Sequence, residues 1–247
     1  MKKAFLAACI VGVLSQPGFG ENSGAKLING KPVTKGTFKE VIMTHWDGYS
    51  CSATIVGPRV VILAAHCSKP HDYISFNYNH KVYAAQFFMS SLYKPDDLEK
   101  DHDVAVGIVD EVIENVKPAT IGGKAWVGSD ITLLGYGCLD GSGAGGNDGI
   151  LRIGNSRITE LSQYVMISKR DDGAVLCFGD SGGPTFLMEN GKRLFLGNHA
   201  ASNLRDTNFD TRADAKATHE FLADIAAQEN VDICGINVTC PSLEAYE

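Results

Sequence analysis

Gly179-Asp180-Ser181-Gly182-Gly183-Pro184 is the most informative stretch of the 247-residue chain. A serine between glycines suits a tight turn, because glycine admits backbone angles closed to other residues. Such a turn leaves backbone N–H groups able to meet a developing oxyanion. A hydroxyl is a weak nucleophile until a base takes its proton, so the segment predicts a histidine and an orienting acid elsewhere. Taken as bare Gly-x-Ser-x-Gly, the string fits a plain turn equally well. The full six-residue string is far more specific.

Two further segments supply what the serine needs. Ala64-Ala65-His66-Cys67 places a histidine at the end of an apolar run, and Asp103-Val104-Ala105-Val106 places an acid at the start of another. Alone, the first reads as an ordinary histidine and the second as a strand cap. Short β-rich runs surround them: Val41–His45, Cys51–Val56, Val60–Ala65, Tyr73–Tyr78, Lys81–Met89, Val104–Val109, Ile131–Tyr136, Leu151–Ile158, Tyr164–Ser168, Pro184–Met188 and Arg193–His199. Turn dipeptides such as Gly57-Pro58 and Asn190-Gly191 separate them. Only Ala213–Glu229 has the length and spacing of an amphipathic helix, with Phe221, Leu222, Ile225 and Ala226 on one face. Many short strands with one terminal helix predict an all-β chain of barrels or sandwiches. Val112–Trp126 reads as the connection between two halves, and Cys138–Gly149 as a Gly-rich loop.

Composition narrows the function classes. Hydrophobic residues at 44% and charged residues at 21% describe a globular chain. A net charge of −7 without a basic run argues against nucleic acid. The longest apolar stretch, Ala4–Leu14, is about half the roughly 20 residues a membrane span needs. Preceded by Met1-Lys2-Lys3 and followed by small residues to Gly20, it reads as a signal peptide cleaved after Gly20. The Lys-Lys start looks bacterial, and the expected location is extracellular or periplasmic. Leu6-Ala7-Ala8-Cys9 spells a lipoprotein-like box, but leaves too short an apolar region to serve as one. Cys9 leaves with the signal, so Cys51, Cys67, Cys138, Cys177, Cys234 and Cys240 remain. An even count in an exported chain predicts three disulfides among 15 pairings, and no spacing suggests a metal site. Asn237-Val238-Thr239 is a glycosylation sequon, relevant only in a eukaryotic secretory pathway.

Together the three segments resemble the trypsin/chymotrypsin family of serine endopeptidases, from Leu27 to about Glu229. The resemblance implies two six-stranded antiparallel β-barrels with a C-terminal α-helix and an active cleft between the barrels. It divides the chain into a first barrel over 27–115, a second barrel with the helix over 116–230, and a tail over 231–247. It implies that His66 acts as general base and then acid, that Asp103 fixes its tautomer, and that Ser181 attacks the scissile carbonyl through an acyl-enzyme. Gly179 and Ser181 would form the oxyanion hole, and no cofactor or metal is implied. Gly135-Tyr136-Gly137 matches the family's Gly-Trp-Gly with tyrosine substituted. The implied partners are protein or peptide substrates and protease inhibitors, acting on a monomer.

The resemblance also implies an activation step. Lys26 precedes Leu27-Ile28-Asn29-Gly30 where the family has a basic residue before an Ile-Val-Gly-Gly-like start. Cleavage there would release a propeptide, residues 21–26, and free a Leu27 α-ammonium to pair with Asp180. Losing Lys2, Lys3, Lys26 and Glu21 takes the net charge from −7 to −9.

The pocket departs from the family. Val175, followed by Leu176, stands where trypsins carry the aspartate that recognises Arg or Lys. A P1 cation would meet an apolar floor, so an apolar or small P1 residue is expected. Ala200-Ala201-Ser202 replaces the usual Ser-Trp-Gly wall, with Ser202 narrowing the entrance. Asn208 and Asp210 are assigned to the third wall, where Asp210 could restore a negative charge. In the family, Cys51–Cys67 is the bridge of the histidine loop. Cys138–Cys177 is the substitute for the bridge lost after the nucleophile, and Cys234–Cys240 would close the tail.

Two rival readings remain at this stage. An α/β-hydrolase esterase shares the Gly-x-Ser-x-Gly elbow, but places nucleophile, acid and histidine in that order, against His66, Asp103, Ser181 here. A catalytically silent, protease-like binding module would fit the altered wall, though such relatives usually lose a triad residue. The remaining histidines show no metal-ligand spacing, and His102 is read as a cleft-edge residue beside Asp103.

Overall fold

The computed structural model of the protein describes residues 27–95, 102–138, 148–169, 171 and 173–246. The expected signal peptide, propeptide and Lys26 lie outside the described residues, as does most of the Gly-rich loop. After a two-residue strand β1 (Lys31–Pro32) come β2 (Val41–Trp46), β3 (Tyr49–Gly57), β4 (Val60–Leu63), β5 (Tyr73–Tyr78), β6 (Lys81–Met89) and β7 (Ala105–Val109). These six close into an antiparallel barrel in the order β2-β3-β4-β7-β6-β5. Then follow β8 (Asp130–Gly135), β9 (Arg152–Leu161), β10 (Val165–Lys169), β11 (Pro184–Glu189), β12 (Lys192–Ser202) and β13 (Thr207–Arg212). They run β9-β10-β13-β12-β11-β8, and β8 returns to β9 to close a second antiparallel barrel. Helix α1 (Lys216–Gln228) and a short strand β14 (Leu243–Glu244) on β12 complete the fold. The two six-stranded barrels and the C-terminal helix are the architecture the sequence predicts.

Period-two alternation explains how the barrels join. In β3, β4 and β7 the set Ala53, Ile55, Val61, Leu63, Ala105 and Val109 fills the first barrel. The intervening residues Val56, Val60, Ile62 and Val106 point the other way, onto Leu134, Phe186 and Phe195 of the second barrel and Leu222 and Ile225 of the helix. Both faces of these strands are buried, which is why they read as unbroken apolar runs rather than alternating ones. The second barrel is filled by residues such as Ile131, Leu133, Met166 and Leu196.

Helix α1 and strand β13 are among the elements that differ from expectation. The helix starts at Lys216, three residues later than the apolar periodicity suggests. Residues before it are held by the barrel: Ala213 N donates to Leu196 O, and Asp214 accepts from Ala125 N and from Arg212. Strand β13 has no strand-like sequence, because Asn208, Asp210 and Thr211 are polar yet fully buried. Burial there is supported by specific hydrogen bonds rather than by apolar side chains.

One buried ion pair locks the barrels and tail together. Arg193 of β12 donates to both carboxylate oxygens of Glu40, at 2.7 and 3.2 Å, with each side chain 1% exposed. Arg193 also lies over the Phe38 ring and donates to the Glu244 carbonyl. Removing one charge strands the other, so Glu40→Ala should cost about 3–5 kcal/mol in urea unfolding. Replacing both members by apolar residues of similar volume should recover most of that loss.

Candidate active site

His66 sits on a single 3₁₀ turn, Ala65–Cys67, directly after β4. The Cys51–Cys67 disulfide ties that turn to β3. Its loop would contribute about 3 kcal/mol in the chain-entropy account. Asp103 lies two residues before β7 and is fully buried. Because β4 and β7 pair antiparallel, the end of one meets the start of the other, and the two residues come together. Asp103 Oδ1 accepts the His66 backbone N–H at 2.9 Å, and Oδ2 lies 2.6 Å from His66 Nδ1. Both carboxylate oxygens are thus used to orient one histidine, whose side chain remains 29% exposed.

From the opposite side, the second barrel holds the carbonyl of Asp103. Asn198 Nδ2 donates to Asp103 O at 2.9 Å, and Thr211 Oγ1 donates at 3.2 Å. The pair belongs to neighbouring strands, with Asn198 opposite Thr211. Neither residue figures in the sequence reading. Asn198 carries a signal, a polar residue inside an otherwise apolar strand run, whereas Thr211 lies in a polar strand that carries none.

Ser181 stands on the turn before β11, with Gly179 in the left-handed region at φ +98°. The Ser181 carbonyl accepts Ser52 N–H at 2.9 Å. Ser52 Oγ donates to Gly179 O at 2.9 Å and accepts Tyr136 N–H at 3.0 Å, so one hydroxyl joins β3 to Gly179 and to the end of β8. Among the described residues, neither the Gly179 nor the Ser181 N–H donates to a protein acceptor. Cys138–Cys177 links the end of β8 to the loop before the serine, and Cys234–Cys240 closes the tail.

Asp180 is wholly buried beneath this turn. It accepts from Gly137 N and Cys177 N, each at 2.8 Å. Burial pushes its carboxyl up to about 6, against the pull of those two N–H groups and of nearby His199 and Arg152. A Cβ on Gly137 would fall within 2.3 Å of the Asp180 carboxyl carbon, so only glycine lets this strand approach. Leu27 is completely buried among Ile131, Ala174 and Leu176, and Val175 N donates to Ile28 O at 2.9 Å.

A cleft of about 340 Å³ contains His66 and Ser181 together, with Leu176, Phe178, Ala200 and Ala201 among its walls. Ser202 also lines it, and its hydroxyl donates across to Leu176 O at 2.6 Å. Val175, Asn208 and Asp210, assigned to the pocket from sequence, do not line it. Val175 is taken up by pairing with Ile28, and Asn208 bonds the Leu176 N–H and the Ala174 carbonyl behind the wall. Asp210 is paired with His199, which does line the cleft and has no role in the sequence reading. His102 is buried against the Tyr164 ring, centroids 3.9 Å apart, and not at the cleft edge. The single cluster of metal-ligand type among the described residues is Cys51, His66 and Cys67, whose sulfurs are already bonded to each other.

Two closed antiparallel barrels, with a histidine–aspartate pair and a serine in the cleft at their junction, define a serine-protease-like fold. The trypsin family model matches residues 27–209, and the chain belongs to that family. No curated protein matches it.

Proposed function

We propose that the protein is an exported serine endopeptidase working through His66, Asp103 and Ser181. The carrying observation is the His66–Asp103 contact at 2.6 Å, beside a cleft that also exposes Ser181. In this reading Asp103 keeps the proton on Nδ1, leaving Nε2 free to take the Ser181 proton and later return it to the leaving amine. The oxyanion of the tetrahedral intermediates that lead to and from the acyl-enzyme is met by the N–H groups of Gly179 and Ser181, each such donor being worth about 10²–10³ in rate. Cleavage after Lys26 frees Leu27 to pair with Asp180 and so orders the turn.

Substrate selection follows from the walls. Leu176, Phe178, Ala200, Ala201 and Leu204 are apolar, and the Ser202–Leu176 bond narrows the slot. Among the described residues no carboxylate lines it to receive a P1 cation, so apolar or small P1 residues are preferred over Arg and Lys. The test is intact mass before and after a fluorophosphonate, on protein trimmed to Leu27. A single adduct that Ser181→Ala abolishes supports the reading. A correctly trimmed chain that takes up no label would favour the silent binding module instead.

A further inference from the structure

His199 lies directly opposite Asp210 in the β12–β13 pairing, and both side chains are fully buried. Its Nδ1 is 2.7 Å from Asp210 Oδ1 and 3.3 Å from Thr185 Oγ1, and its Nε2 is 3.1 Å from the Leu134 carbonyl. A carbonyl only accepts, so Nε2 donates to Leu134, and Nδ1 meets the Asp210 carboxyl at ion-pair distance. Among the described residues Asp210 Oδ2 meets no donor, so the carboxyl is held through its contact with His199.

The main chain of the same residue holds the nucleophile's turn from both directions. Gly182 N donates to His199 O at 2.8 Å, and His199 N donates to Gly183 O at 2.9 Å. The ring packs where a Cβ on Gly183 would come within 3.0 Å of its Cδ2. The next cross-strand pair, Asn198 with Thr211, grips the carbonyl of Asp103. Successive pairs on β12 and β13 therefore hold the acid and the nucleophile loop in one frame.

We propose that the His199–Asp210 ion pair is a second, non-reacting histidine–acid pair whose charge and hydrogen bonds position the Ser181 turn against His66. The proposal rests on the peptidase reading above. Asp180 in the turn feels the charge of His199 and, separately, of Arg152 of β9. His199 thus favours the ionised form of Asp180 as well as fixing the backbone after Ser181.

Asp210→Asn is the discriminating variant, because its amide can donate to Nδ1 while Nε2–H still reaches Leu134. Both bonds survive and only the charges go. With an apolar-P1 peptide substrate, Asp210→Asn should lower kcat at unchanged KM and move the acid limb of the profile to higher pH, as Asp180 loses a neighbouring cation. His199→Leu removes the bonds as well and should cost about 10²-fold in kcat, the scale of a small misplacement of reacting groups. In the unmodified enzyme, nitrogen-resolved NMR at pH 7.5 should find both His199 ring nitrogens protonated. One unprotonated nitrogen would overturn the proposal. So would variants that melt earlier but keep the parental kcat and pH profile. Failure of fluorophosphonate to label the parental enzyme would instead overturn the peptidase reading itself.

Discussion

Asp103→Asn should lower kcat by about 10⁴-fold, the scale known for this change in triads of the family, while the protein stays folded. The two bonds from His66 dictate this. Asp103 accepts the His66 backbone N–H on one oxygen and faces Nδ1 with the other. An asparagine has a single acceptor oxygen. If that oxygen keeps the backbone bond, the amide NH₂ must face Nδ1, which then has to accept. The proton moves to Nε2, and the histidine can no longer receive one from Ser181. Steady-state kinetics beside a thermal melt measures both halves. A variant with near-parental kcat would remove Asp103 from the proposed mechanism.

A chain beginning at Leu27 should react with fluorophosphonate about 10²–10³ times faster than one beginning at Glu21. Leaving a buried charge without its partner costs about 3–5 kcal/mol, and 1.4 kcal/mol is tenfold in an equilibrium. The buried Asp180 carboxyl gives this a pH signature. Its ordinary value of 3.8 rises to about 6 on burial, so it binds a proton more tightly folded than unfolded. Below about pH 4 it is protonated in both states and its burial is not opposed. As pH rises through 6 the folded carboxyl must ionise in an apolar site, and the untrimmed chain loses stability. An α-ammonium at Leu27 offsets that loss. The gain in melting temperature on trimming should therefore be small at pH 4, largest near pH 7, and fall again as the ammonium deprotonates. A gain independent of pH would argue against a Leu27–Asp180 pair.

The sequence makes some parts of the molecule plain and hides others for physical reasons. Tyr73–Tyr78 and Lys81–Met89 are strands with the bounds their patterns suggest, because alternating burial and a tight turn are local properties. His66, Asp103 and Ser181 are legible because each sits in a short string of unusual composition. Strand β13 is not legible, since Asn208 and Asp210 look like loop residues until their partners on other strands are known. His199 is hidden for the same reason: nothing near it in the chain shows that it faces Asp210 across a ladder. The pocket walls fail differently. Counting six residues back from Ser181 correctly finds Val175, but Ile28 claims its backbone and Leu176 takes the wall.

The wiring of β3 also bears on when the chain can finish folding. Its Ile55 carbonyl is met by Ala119 N, and its Val56 carbonyl by Cys234 N, each at 2.8 Å. The linker is fastened in turn, with Ile121 N donating to Cys234 O at 2.9 Å. The first barrel, made early in synthesis, finds its Ala119 partner at once but lacks its Cys234 partner until nearly the whole chain has emerged. Assembly of the cleft is tied to completion of the polypeptide, and a truncated product would lack the clasp that holds its halves together.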